Sequence, residues 1–167
     1  MIINQQSLLK LAPIENMFRS KQQEFGVSHG LSEVGYDIRI KQDIVFTLNE
    51  RGEASVLASD GPHNDARKGR FILASTIEKF DMPDCLAGVV HDKSTWARRG
   101  LSVFNTVIEP GWKGYLTLEL VFHGQEDIFI PAGSGIAQVI FTEIRHPYAY
   151  EGKYQDQANA PVPAKEA

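Results

Sequence analysis

Hydrophobic and polar residues alternate most strictly between Tyr115 and Val121. Leu116, Leu118 and Leu120 point one way; Tyr115, Thr117 and Glu119 point the other. The pattern predicts a strand with a leucine row on one face and a lone carboxylate on the opposite face. The same period recurs in shorter runs, predicting strands over 34–40, 44–48, 54–57, 71–76, 86–91, 128–130 and 136–144. Turn chemistry separates them. Asn49-Glu50-Arg51-Gly52 closes a hairpin, residues 78–83 form a turn ending in Pro83, and 131–135 turn tightly. Residues 26–30 and 59–69 read as loops, the second rich in Asp, Gly, Pro and Asn. Helix is predicted early, over 7–11 and 14–25, separated near Pro13. Ser7 is the expected N-cap, with an apolar stripe of Leu8, Leu9, Leu11, Ile14, Met17 and Phe18. Many short strands and little helix predict a mainly β fold, a barrel or a jelly-roll-like sandwich. It is expected as one domain over 1–167, with a helical lead-in over 1–30 and a tail over 146–167.

Composition narrows the function classes. The 167 residues are 43% hydrophobic and 23% charged, ordinary for a globular protein with a sizeable core. A formal charge of −4 offers no general attraction to nucleic acid or to an anionic membrane. A phosphate-bearing ligand must then be held by local cations and backbone donors. Cys85 is the single cysteine, which excludes a disulfide framework and a cysteine metal cluster. No apolar run approaches the ~18 residues of a membrane span, and the first residues lack the regions of a signal peptide. A cytoplasmic protein is expected.

Three pieces carry candidate chemistry. Lys93-Ser94-Thr95-Trp96-Ala97-Arg98-Arg99-Gly100 reads as one helical turn closed by glycine. Ser94 and Arg98 stand four apart and share a face; with Lys93 and the free amides of the turn they make an anion seat. Glu109-Pro110-Gly111-Trp112-Lys113-Gly114 is turn chemistry. Glu119 has two readings: a solvent-facing glutamate, or an acid–base carboxylate lining a pocket whose other wall is the Ser94/Arg98 turn. Asp37 and Arg39, two apart on a strand, read as a structural ion pair. The five histidines, His29, His63, His91, His123 and His146, show no metal-ligand spacing. One cysteine also excludes a catalytic zinc held by a Pro-Cys-x-x-Cys pair.

Lys-Ser-Thr-x-Ala-Arg-x-Gly, Ile-Glu-Pro-Gly-Trp-x-Gly and Leu-Thr-Leu-Glu-Leu, in this order and spacing, resemble the dCTP deaminase family, relatives of the trimeric dUTPases. Tyr36-Asp37-Ile38-Arg39 adds to the likeness, which spans residues 36–157. The resemblance implies a distorted β-barrel, jelly-roll-like dUTPase fold and a homotrimer with inter-subunit sites. It implies zinc-independent hydrolysis of dCTP to dUTP and ammonia. Glu119 would be the general base, Ser94 would position the water, and Arg98 would steady developing charge. Lys93, Ser94, Thr95 and Arg98 would seat phosphates, and the residues from Thr117 to Glu119 would meet the base. Lys153 and Gln157 belong to a flexible tail that orders over the bound nucleotide. Mg²⁺ is expected through the triphosphate, with no metal ligand from the protein and no zinc.

Two departures matter. Lys-Ser-Thr replaces the family's usual Arg-Ser-Ser. Glu109 stands where Asp is usual near the deoxyribose, which puts diphosphatase activity in doubt more than deamination. Trp112 packs under the sugar, at a subunit contact, or in the core. Phe104-Asn105-Thr106 lies where feedback by dTTP would act, and leaves regulation open. Two other readings stay open: a dUTPase or bifunctional deaminase–diphosphatase yielding dUMP, and a non-catalytic nucleotide-binding trimer.

Overall fold

The computed structural model describes residues 1–166. In chain order the elements are β1 (Ile2–Ile3), α1 (Gln5–Leu11), β2 (Lys21–Glu24), β3 (Val27–Leu31), β4 (Tyr36–Arg39), β5 (Asp43–Leu48), β6 (Ala54–Ser59) and β7 (Asn64–Lys68). They continue with β8 (Phe71–Asp81), β9 (Leu86–Asp92), α2 (Ser94–Ala97), β10 (Leu101–Val103), β11 (Val107–Ile108), β12 (Lys113–Phe122), β13 (Ile128–Ile130) and β14 (Gly135–Glu143). The fold is mainly β, as the alternation predicts. A seven-stranded sheet runs β11-β9-β14-β4-β3-β2, with β1 on β14. A three-stranded sheet runs β10-β12-β8, and a four-stranded sheet β13-β5-β6-β7. The sheets do not close into one barrel.

The leucine row of β12 is in the core: Leu116, Leu118 and Leu120 are all buried. Tyr36, Phe46, Phe80, Phe122 and Phe141 are fully buried in the same cluster. Burying each such side chain stabilises by roughly 1.5–3 kcal/mol. This apolar face therefore fixes the register of β12, and with it the direction of Thr117 and Glu119.

Several expectations need correction. α1 is capped at Asn4 rather than Ser7, with no side-chain cap bond. It ends at Ala12 in the left-handed region, before Pro13. Residues 14–25 are not helical: Ile14 bridges Phe80, and β2 and β3 form a hairpin. The hairpin turns at Phe25-Gly26, both at positive φ (53° and 74°), as a two-residue turn demands. The residues 26–30 expected as loop are thus mostly β3. β2 is polar on both faces, so no period betrayed it. The expected loop 59–69 contains β7, an edge strand joined to β6 by backbone bonds and carrying polar side chains. The expected turn at 78–83 is largely strand. β8 continues to Asp81 because Phe80 is a core residue and Lys113 and Gly114 pair beside it. β10 and β11 are too short to show a period.

Asp37 and Arg39 are ion-paired, but not with each other. Arg39 Nε donates to Glu78 Oε1 at 2.8 Å, and its backbone N–H to Glu78 Oε2 at 2.8 Å. Asp37 Oδ2 lies 2.6 Å from Lys93 Nζ.

Candidate active site

Glu119 opens into a cavity of about 520 Å³. Leu73 and Phe71 of β8, opposite Glu119 and Val121 in the strand register, form one wall. Thr106, Ile108 and Glu109 form another, and Tyr150, Tyr154, Val162 and Ala164 of the tail close the rim. A register shift between Tyr115 and Thr117, where the Leu116 N–H turns to Thr76 Oγ1 at 3.1 Å, lies just before the site residues. Glu119 is half-buried, and burial raises its carboxyl above the ordinary 4.5; a bond to its own backbone pulls weakly the other way. No lysine or arginine lines the cavity among the described residues.

Thr117 is the meeting point of strand and tail. Its hydroxyl oxygen accepts from Gln157 Nε2 and, at 2.9 Å, from the Val162 N–H. Trp112 lines the cavity, packs on Phe80 at 6.1 Å between ring centroids, and donates Nε1–H to the Tyr154 carbonyl. Its role is therefore core and tail anchor together. The Tyr115 N–H donates to the Gln157 carbonyl at 3.1 Å, making a parallel bridge beside Gly114. Gly114 stands at φ 132°, and a Cβ there would lie 2.5 Å from Gln157 N. The tail over 146–166 is thus held against β12 without forming a helix or strand of its own.

Glu109, Thr117, Glu119 and Gln157 therefore come together in one cavity. Lys93, Ser94, Thr95 and Arg98 do not line it. They belong to α2 and its flanks, where Ser94, Thr95 and Arg98 are exposed and make no side-chain bond to the described residues. Lys93 faces inward and is ion-paired. Lys153 lies outside the cavity lining; Lys165 Nζ donates to its carbonyl at 2.6 Å, and both ammoniums sit 5.5 Å from the Tyr154 ring. Sequence reasoning missed the wall from Phe71 and Leu73. The odd-numbered face of the predicted strand 71–76 held the signal for that wall.

The described residues contain no group of three or more His, Cys, Asp or Glu placed to hold a metal. His29 is buried beside the Phe18 ring, and burial lowers its pKa. No helix among them is long and apolar enough to cross a membrane.

The fold is that of the dUTPases and their relatives. The native EIAV dUTPase superposes with a TM-score of 0.51 at 17% identity, covering 80% of this chain and 90% of that one. The 2′-deoxycytidine 5′-triphosphate deaminase of Agrobacterium tumefaciens gives 0.54 at 13%, covering 84% and 49%. A family model described as dCTP deaminase-like matches residues 14–144. The dCTP deaminase of Campylobacter curvus is 38% identical over 151 residues, 82% of this chain and 81% of the relative. That of Protochlamydia amoebophila is 32% identical over 164 residues, 90% and 87%. The chain belongs to the dCTP deaminase family.

Proposed function

We propose that this protein is a cytoplasmic homotrimer that hydrolyses dCTP to dUTP and ammonia without zinc. The observation that carries the reading is the Glu119 cavity: a half-buried carboxylate with a raised pKa, walled by apolar side chains. Raising a carboxyl by burial moves it toward the range in which it both takes up and releases protons. Glu119 takes a proton from a water that adds at C4 of cytosine. That proton goes to N3 as the hydroxyl adds to C4; the hydroxyl's remaining proton then passes through Glu119 to the amino nitrogen, the C4–N bond breaks as C4=O forms, and ammonia departs. Ser94 orients that water and Arg98 steadies the charge developing near it.

The division of the candidate residues supports a shared site. Among the described residues, the cavity has carboxylates and no lining cation, and the α2 turn has an exposed arginine and hydroxyls but does not line it. Each lacks what the other presents. Phe104 and Val107, at 53% and 56% exposure, leave apolar surface beside the cavity for a subunit contact. Ser94, Thr95 and Arg98 of a neighbouring copy then seat the phosphates facing Glu119. The sugar rests near Glu109, the base meets the Thr117–Glu119 segment, and Gln157 and Lys153 close over the ligand. Mg²⁺ arrives on the triphosphate and offsets its charge.

The test is incubation with dCTP and Mg²⁺, reading ammonia, dUTP, dUMP and pyrophosphate. Ammonia with intact dUTP is expected. Pyrophosphate release from dCTP or dUTP would make the enzyme bifunctional or a dUTPase. Tight dCTP binding without ammonia would make it a non-catalytic trimer.

A further inference from the structure

Three cations lie in and beside the α2 turn, and they are treated differently. Arg98 is exposed and free of side-chain partners among the described residues. Arg99 is exposed and stacks its guanidinium over the Trp96 ring at 5.2 Å. Lys93 is turned in, its side chain only 11% exposed and its partner Asp37 3%. Lys93 Nζ donates to Asp37 Oδ2 at 2.6 Å and to Ser28 Oγ at 3.0 Å. The same carboxylate accepts from Ser28 Oγ at 3.1 Å and, on Oδ1, from Gln138 Nε2 at 3.1 Å. Gln138 Nε2 also reaches Ser32 Oγ at 3.0 Å. The network draws on β3, β4 and β14, which are neighbours in the seven-stranded sheet, and Lys93 follows β9 on the far side of β14.

Lys93 is also the N-cap of α2, in extended backbone and with no side-chain cap bond. A four-residue helix has little stability of its own, so its placement must come from tertiary anchors. Three anchors bracket Ser94. Asp92 Oδ1 accepts the Val103 N–H at 2.7 Å, Lys93 is held by Asp37, and Trp96 Nε1 donates to the Gly135 carbonyl at 2.7 Å. Breaking the middle anchor would leave a buried carboxylate without its counter-charge, so Lys93 cannot swing out to a phosphate at little cost.

We infer that Asp37, acting through Lys93, is a positioning residue that fixes the turn presenting Ser94 and Arg98, and that Lys93 gives its charge to Asp37 rather than to the nucleotide. This rests on the proposed deaminase reading. It assigns to a sheet interior a part in catalysis that the surface of the turn does not reveal. A small displacement of an aligned group costs on the order of 10²-fold in rate.

The test uses Asp37→Asn, Lys93→Met, their double variant and Lys93→Arg in the full-length protein. Each single change should lower kcat/KM for dCTP on the order of 10²-fold, and the double variant should be no worse than either. Lys93→Arg should recover part of the loss. Because the same turn seats the phosphates, the dCTP-to-dCMP preference should shift alike in Asp37→Asn and Lys93→Met. A phosphate ligand behaves otherwise: Lys93→Met would weaken dCTP selectively, Asp37→Asn would not, and the losses would add. That result overturns the inference, as does wild-type kcat/KM in either single variant. Amide hydrogen exchange without nucleotide supplies a second readout. The Trp96, Ala97 and Arg98 amides should exchange about tenfold faster in both single variants while β14 and β9 stay protected. Unchanged exchange at the turn overturns the inference. If D37N does not fold, Gln138→Leu, which loosens Asp37 without removing charge, carries the same expectation in smaller measure. Wild-type protein that releases no ammonia sinks the deaminase reading, while the exchange arm still decides whether Asp37 fixes the turn.

Discussion

Trp112 donates its indole N–H to the Tyr154 carbonyl at 2.7 Å, so a residue of the Glu109–Gly114 turn holds the tail over the cavity. Gly114 lets the tail approach this closely, because any Cβ there would meet Gln157. Gly114→Ala should push Gln157 off Thr117 and raise KM for dCTP while sparing the global fold. Trp112→Phe should cost about 1 kcal/mol through one lost bond and expose the tail to proteolysis. Limited proteolysis and steady-state kinetics read both. A tail cleaved no faster in Trp112→Phe would show that this bond does not hold it.

Glu119→Gln should lower turnover roughly 10²–10⁴-fold and leave dCTP binding largely intact. Calorimetric titration beside an ammonia assay separates the two effects. A variant that turns over at the wild-type rate rules out Glu119 as the base.

Burial raises the Glu119 carboxyl in the folded chain above its ordinary value. A proton is then bound more tightly in the folded state than in the unfolded one. Its stabilising contribution is full below the unfolded pKa and is lost as pH rises through the folded pKa. Glu119→Gln should therefore raise Tm at pH 8 and change it little at pH 4. The acidic limb of kcat/KM should lie above the usual carboxylate range. If a neighbouring subunit's arginine opposes the shift, Arg98→Ala should move that limb higher still. A limb that ignores Arg98 would place the two groups apart.

Inter-subunit sites predict complementation. Arg98→Ala and Glu119→Gln should each be nearly inactive alone. Co-refolded in equal amounts, they should regain activity in about one quarter of sites, the random chance that both native groups meet. No recovery in a mixed trimer would mean that each chain builds its own site.

Arg39 of the seven-stranded sheet and Glu78 of the three-stranded sheet test the packing that supports the site. Glu78 is 3% exposed on its side chain, and burial raises its pKa despite its bonds to Arg39. Arg39→Met strands that carboxylate and should destabilise by about 3–5 kcal/mol, read by urea unfolding. The double change Arg39→Met with Glu78→Leu should recover much of the loss. Equal losses in the single and double variants would show that an uncompensated charge is not the cause.

Much of the site's layout follows from local pattern. Strict alternation in β12 is enough to put Leu116, Leu118 and Leu120 inside and Glu119 on the opposite face, because side chains on a strand change sides at every residue. The helical turn at 94–97, its closing glycine and the 109–114 turn depend on local backbone preferences, and they too are legible. Polar or very short strands are not. β2, β7, β10 and β11 exist because neighbouring backbones offer them hydrogen bonds, and their own residues carry no period. The same limit hides Lys93's partner. Its neighbours in the chain make it look like a phosphate ligand, but Asp37, 56 residues away, is brought to it by strand pairing alone. Whether Glu119 faced water or a walled cavity was likewise settled by β8 and the tail packing beside β12, since burial depends on elements distant in sequence.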